Sequence, residues 1–183
     1  MGKYKIVALF GKSGSGKDTV LKALCENQSI YNRIINSTTR PPREGEIDGK
    51  DYYFLDNIAF AEKILNGSFI EATGFKNWFY GTDISSLDAS RINIGVFNIN
   101  AIECLKEDSH LEVYPILIEA KDSIRLKRIL SREEDPDCEE ICRRFLADKK
   151  DFSNIPFEYS VFENQTSTIT VSILNNYIEG AIR

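Results

Sequence analysis

The chain has 183 residues, 42% of them hydrophobic, and a formal net charge of −5. That length and apolar fraction suit one domain with its own core, and the acidic balance excludes broad charge-driven binding to nucleic acid or to a membrane surface. No apolar run reaches membrane length and no signal-peptide pattern opens the chain. A soluble, cytoplasmic protein is therefore expected, as a monomer or homodimer. Cys25, Cys104, Cys138 and Cys142 are expected to be free thiols. The only histidine, His110, lies in a polar segment and is placed on the surface.

The first predicted element is an apolar strand over residues 4–10. It runs into Gly11-Lys12-Ser13-Gly14-Ser15-Gly16-Lys17-Asp18-Thr19, and a helical pattern with Val20, Leu21 and Leu24 follows. Strand, glycine-rich loop and helix in that order form the context of a phosphate-binding P-loop. The glycines allow successive N–H groups to turn inward, and the helix N-terminus behind them favours an anion. Lys17 adds a point charge where β- and γ-phosphates would lie. Asp18 departs from the pattern, which has Ser or Thr there. Either Asp18 is itself a ligand for Mg²⁺, or Thr19 supplies the hydroxyl.

Further strands are predicted at 33–36, 94–99, 112–119 and 159–163, and helices at 101–107, 122–131, 138–152 and 168–181. Alternation of this kind implies a parallel sheet with helices on both faces. Two stretches interrupt it. Residues 37–91, rich in aromatics, glycine and charge, are expected to form a lobe inserted between core segments 1–36 and 92–183. Residues at about 132–140, charged and containing Pro136, are expected to form a short lid.

The segment 37–54 carries the most specific pattern. Ser37-Thr38-Thr39-Arg40-Pro41-Pro42-Arg43-Glu44-Gly45-Glu46 leads into Gly49-Lys50-Asp51-Tyr52-Tyr53-Phe54, with Phe69-Ile70-Glu71 and Tyr80-Gly81-Thr82 beyond. With the glycine loop before it and arginines behind, the pattern resembles the guanylate kinase family over most of the chain. The resemblance implies a fold of the P-loop nucleoside monophosphate kinase kind and phosphoryl transfer from ATP to GMP or dGMP, with Mg²⁺. It implies that Gly11, Ser13, Gly14, Ser15, Gly16, Lys17, Asp18 and Thr19 surround ATP, with Asn164 near its adenine. Arg40, Arg43, Tyr52 and Tyr80 would hold the acceptor phosphate, and planar guanidinium forks suit that task.

Glu71 and Thr82 would occupy the guanine pocket. A carboxylate accepts from both guanine N1–H and N2–H₂ but opposes the lone pair of adenine N1. Guanine O6 then needs a donor, which Thr82 or Asn36 can supply. In the family, the central strand ends in two aspartates where this chain has Asn98 and Asn100. The Asp18 carboxylate and these two carboxamides together suggest that negative charge near Mg²⁺ has moved from one wall of the site to the other. Lys17, Arg40 and one or more of Arg128, Arg132 and Arg144 are the expected catalytic residues. Two other readings stand beside this one. One is a kinase for another monophosphate or a sugar phosphate; the other is a non-catalytic phosphopeptide-binding module.

Overall fold

A computed structural model describes residues 3–75, 77–131, 136–164 and 167–182. In chain order the elements are β1 (Tyr4–Phe10), α1 (Lys17–Leu24), β2 (Tyr31–Arg33), β3 (Ser37–Thr38), β4 (Tyr53–Phe54), α2 (Asn57–Leu65), β5 (Phe69–Phe75) and β6 (Trp78–Asp83). They continue with β7 (Ile92–Val96), α3 (Ile99–Glu107), β8 (Leu111–Glu119), α4 (Asp122–Leu130), α5 (Cys138–Asp151), β9 (Ser160–Glu163) and α6 (Ser167–Ile182). The central sheet has the order β2-β7-β1-β8-β9 and is flanked by helices. A smaller sheet, β4-β3-β6-β5, is drawn wholly from residues 37–83. By its internal contacts the chain forms two compact units, Met1–Ala8 with Asn27–Tyr114, and Leu9–Glu26 with Pro115–Arg183.

β1 is the middle strand of the central sheet because both its faces are apolar. Every side chain from Ile6 to Phe10 is fully buried, as expected for a strand covered on both sides. Ile6, Val7, Leu9 and Phe10 each contribute roughly 1.5–3 kcal/mol through removal from water. At its end Phe10 packs against the rings of Phe152, Phe157 and Tyr159, with centroids 5.6–6.1 Å away. In the same unit α6 packs on α1, burying Leu174 and Ile178. β8 runs parallel to β9, and β2 parallel to β7.

Two strands differ from the sequence reading. The apolar run 33–36 is not one strand. Tyr31–Arg33 pairs with Ile92–Ile94, and Ile34 N–H still donates to Ile94 O at 2.8 Å. By Ser37 the chain has joined the other sheet, opposite Gly81. The run 94–99 likewise ends early, at Val96. Asn98 Oδ1 accepts from Ala101 N–H at 2.8 Å and so caps α3. An Asx cap of this kind fixes where the helix starts, and it takes Asn98 and Asn100 out of the strand. Similarly Asp137 caps α5, accepting from Glu140 N–H. Four residues assigned to the lid, Arg132 to Asp135, lie outside the described residues.

Among the described residues no helix is long and apolar enough to cross a membrane. Among the described residues no disulfide joins any of the four cysteines, and His110 is exposed.

Candidate active site

The loop from Gly11 to Lys17 belongs to the second unit, between β1 and α1. Gly16 occupies the N-cap of α1 with φ 87°, and Gly14 has φ 77°. Both angles disfavour any residue with a Cβ. Space forbids one as well: a Cβ on Gly16 would stand 2.4 Å from Asn164 Nδ2, and one on Gly14 would stand 2.7 Å from Arg125 O. The glycines are thus needed for close approach and for backbone angle together.

The loop's carbonyls are tied down from outside. Ser15 O accepts from Asn164 Nδ2 at 2.8 Å and from Arg128 Nη1 at 3.2 Å. Arg128 Nη2 reaches Asn164 O at 3.3 Å, and Asn164 N–H donates to Glu119 O. Asn164 itself is 1% exposed. Ser13 is held on three sides. Its N–H donates to Asp148 Oδ2 at 2.8 Å, its hydroxyl lies 3.4 Å from Asp148 Oδ1, and its carbonyl accepts from Arg125 Nε at 2.8 Å. Ser15 N–H turns back to Lys12 O at 3.1 Å, and the glycine turn with the N-terminus of α1 behind it favours an anion. Lys17 opens α1 half-buried, while Asp18 and Thr19 are exposed in its first turn. Ser15 Oγ is buried with no hydrogen-bond partner, and Ser15 lines a cavity of about 240 Å³ with Lys12, Lys121 and Glu163.

The first unit holds the other group of residues. β5 and β6 are antiparallel, with Glu71 opposite Thr82 and Thr73 opposite Tyr80. Cross-strand partners and residues two apart share a face, so Glu71, Thr73, Tyr80 and Thr82 stand together. Thr82 Oγ1 lies 2.6 Å from Glu71 Oε1 and 3.1 Å from Asn36 Oδ1. Asn36 Nδ2 donates to Val96 O, which fixes its oxygen toward Thr82. Asn98 Nδ2 donates to Thr73 Oγ1 at 3.2 Å. Glu71 is 5% exposed. Burial pushes its carboxyl up to about 7, against the Thr82 and Thr73 hydrogen bonds that favour the charged form.

Arg40, 8% exposed, faces Glu46 end-on: Nη1 and Nη2 each reach a Glu46 oxygen at 3.0 Å. Nη1 also donates to Pro41 O. Of the five guanidinium N–H groups, the side-on pair on Nε and Nη2 remains as a second fork. The guanidinium lies over Tyr52 and Phe54, 5.4 and 5.7 Å from the ring centroids. Burial works against the Arg40 charge, but the Glu46 carboxylate outweighs it and raises the pKa. For Glu46, burial is in turn outweighed by Arg40 and by the Arg43 N–H, so its carboxyl is held below the usual range. Arg43 itself is exposed. The Tyr52 and Tyr80 rings meet edge to face at 6.3 Å.

Comparison with known proteins decides the family. A guanylate kinase family model matches residues 3–181. The chain belongs to the guanylate kinase family. It is 31% identical to a guanylate kinase of Sus scrofa over 84% of this chain and 80% of that one. It is 30% identical to a guanylate kinase of Clostridium tetani, covering 90% and 81% of the two chains. The fold is that of the crystal structure of guanylate kinase from Anaplasma phagocytophilum, with TM-score 0.73, 22% identity, and 98% and 87% of the chains covered.

As a member of that family, the chain brings some expected residues together and leaves others apart. Thr82 is hydrogen-bonded to both Asn36 and Glu71, and Arg40 lies over Tyr52. Asn100 is exposed in the first turn of α3. Arg144 Nε is bound to Glu140 on α5 at 2.7 Å, and Arg132 lies outside the described residues. The sequence reading missed Glu46 as the partner of Arg40, and missed Arg125 and Asp148 altogether. A signal existed for the last two. Arg125 stands four residues before buried Ile129 and Asp148 seven after buried Ile141. Opposite charges on the buried stripes of successive helices are a pairing signal.

Proposed function

We propose that this guanylate kinase family member transfers the γ-phosphoryl group of ATP to GMP or dGMP. The observation that carries the acceptor is the shared face of β5 and β6. Glu71 and Thr82 stand at one end and complement a guanine edge: the carboxylate would accept from N1–H and N2–H₂, and the Thr82 hydroxyl would turn its one proton from Glu71 or Asn36 to O6. Tyr80 stands two residues along β6 from Thr82, roughly 7 Å away along the strand, and offers a hydroxyl to the phosphate of the same nucleotide. The side-on fork of Arg40, with Arg43 and Tyr52, completes the phosphate contacts.

The loop N–H groups and Lys17 would hold the ATP phosphates. Phosphoryl transfer then needs alignment and charge stabilisation rather than a general base, because the acceptor phosphate is ionised at neutral pH. Arg128, Arg132 and Arg144 are the candidates to add positive charge over the transferring group.

A Mg²⁺ ion fits the donor set. Asp18 and Thr19 present hard oxygen ligands in the first turn of α1, and among the described residues no cluster of three or more acidic, His or Cys side chains forms a dedicated cage. Mg²⁺ typically takes one or two carboxylates plus substrate phosphates, and bound with ATP it would neutralise phosphate charge. A cytoplasmic setting, with its supply of nucleotides, belongs to the same reading.

The alternatives raised by the sequence are not favoured, since the curated relatives described above are all named guanylate kinases. A coupled assay with ATP and Mg²⁺ across GMP, dGMP, AMP, UMP and TMP tests the proposal. Turnover of the guanine nucleotides above the rest is expected. Preference for any other acceptor, or no turnover with GMP, refutes it.

A further inference from the structure

We propose that Arg125 and Asp148 are positioning residues, a buried clamp that holds the glycine loop in its ATP-receiving shape. The inference rests on the function proposed above. Arg125 is 2% exposed and Asp148 4% exposed. Their side chains pair, Arg125 Nη2 with Asp148 Oδ2, and Arg125 Nη1 also holds Asp122 at 2.6 Å. The Arg125 guanidinium lies 4.4 Å from the centroid of the Phe145 ring on α5.

An ion pair that served only to join α4 to α5 would be spent between those helices. This one is not. Asp148 accepts the main-chain N–H of Ser13, and Arg125 donates to the main-chain carbonyl of the same residue. One loop residue is thereby gripped at both ends. Gly14 follows directly, and its own path runs against Arg125 O. The path of the backbone that follows, through the Ser15 N–H bond to Lys12 O and on to Lys17, depends on where that grip sets Ser13. Loop donors that converge on empty space repel one another. A fixed anchor outside the loop supplies the preorganisation that lets them meet a polyphosphate without rearrangement.

Buried ion pairs are weak evidence for stability, since apolar replacements of both partners are often neutral or better. The position of this pair calls for another reason, and the grip on Ser13 provides one.

Charge alone makes the opposite prediction from the clamp. Removing the Asp148 carboxylate leaves an extra cation near the ATP phosphates, which would tighten ATP. Loss of the clamp loosens it. The test compares the full chain with Asp148→Ala and with the apolar double variant Arg125→Leu/Asp148→Ala. ATP affinity is measured by calorimetry, KM for ATP and GMP by kinetics, and folding by thermal melting. Expected in both variants is a rise of about tenfold or more in ATP Kd and KM, with GMP KM within about twofold of wild type and the double variant melting close to it. If Asp148→Ala unfolds, Asp148→Asn keeps the volume and is expected to weaken ATP by about threefold.

Unchanged or tighter ATP binding in folded variants overturns the clamp, as does an equal loss toward GMP. A wild-type chain that binds no ATP refutes instead the function on which the clamp rests.

Discussion

In the proposed reading, the two groups of candidate residues, one in each unit, hold a phosphate by opposite means. Around Gly11–Lys17 the donors are main-chain N–H groups, and the side chains of Arg128, Asn164, Arg125 and Asp148 are turned to the loop's backbone to shape it. In the small sheet the candidate donors are side chains, carried on strands of a mixed sheet in which β6 pairs antiparallel with β3 and β5, and β3 pairs parallel with β4. There a second side chain aims the first, as Glu46 aims Arg40. A main-chain site is sensitive to what shapes the backbone. A side-chain site is sensitive to the identity of each group.

The largest effect expected is at Lys17, the loop cation that stands at the N-terminus of α1. Lys17→Met should lower kcat/KM by about 10³-fold, in the range of losses for removed transition-state donors and phosphate-clamping cations. GMP binding measured alone should stay within about twofold. A matching loss of GMP affinity would break the separation drawn between the two groups.

Arg40 comes next. Arg40→Lys keeps the charge and loses both forks, and GMP KM should rise by about 10²-fold. Glu46→Gln keeps Arg40 but weakens the end-on pair that aims it, and about tenfold is expected. If Glu46→Gln leaves GMP KM unchanged, Arg40 is aimed by its aromatic neighbours Tyr52 and Phe54 instead.

Glu71 sharpens the contrast because its effect depends on pH. Only the ionised form accepts both guanine donors. With its carboxyl pushed up to about 7 by burial, GMP affinity should climb as pH rises through that value, and calorimetry should record proton release. Glu71→Gln should remove both effects and cost about tenfold in GMP affinity. The sign for stability is the reverse. A carboxyl whose folded pKa lies above its unfolded value favours folding at low pH, so the apo protein loses stability as pH rises from 4.5 toward about 7. The size is about 3 kcal/mol at most. A Glu71→Gln variant with the same pH dependence as wild type would sink this account.

How much of this the sequence discloses follows from the same contrast. The glycine loop is legible because its backbone angles demand glycine at fixed spacing. The acceptor group is legible because Arg40, Tyr52, Glu71 and Tyr80 fall in short local patterns. The grip of Asp148 on Ser13 is not, because 135 residues separate the two, and no local propensity encodes such a distance. The break between β2 and β3 is hidden for a related reason. Ile34 and Ile35 continue the apolar run, and only pairing with two different sheets divides it. Asn98 enters the sequence reading only as the carboxamide that replaces a family aspartate at the strand end, while its cap to Ala101 is a local signal that the strand reading hides.

That dual position makes Asn98 the smallest but cleanest comparison. As the cap of α3 it satisfies Ala101 N–H with Oδ1, and with Nδ2 it steadies Thr73 beside Glu71. Asn98→Ala removes both and should cost about 1 kcal/mol of stability, a melting shift of roughly 2–4 °C for a chain of this size. Asn98→Asp keeps the cap, since Asp serves there as well as Asn, but offers Thr73 an acceptor in place of a donor. Its stability should match wild type at neutral pH, and any change should fall on GMP affinity through Thr73 and Glu71. If Asn98→Asp destabilises as much as Asn98→Ala while GMP affinity holds, the carboxamide matters to the fold alone and not to the base pocket.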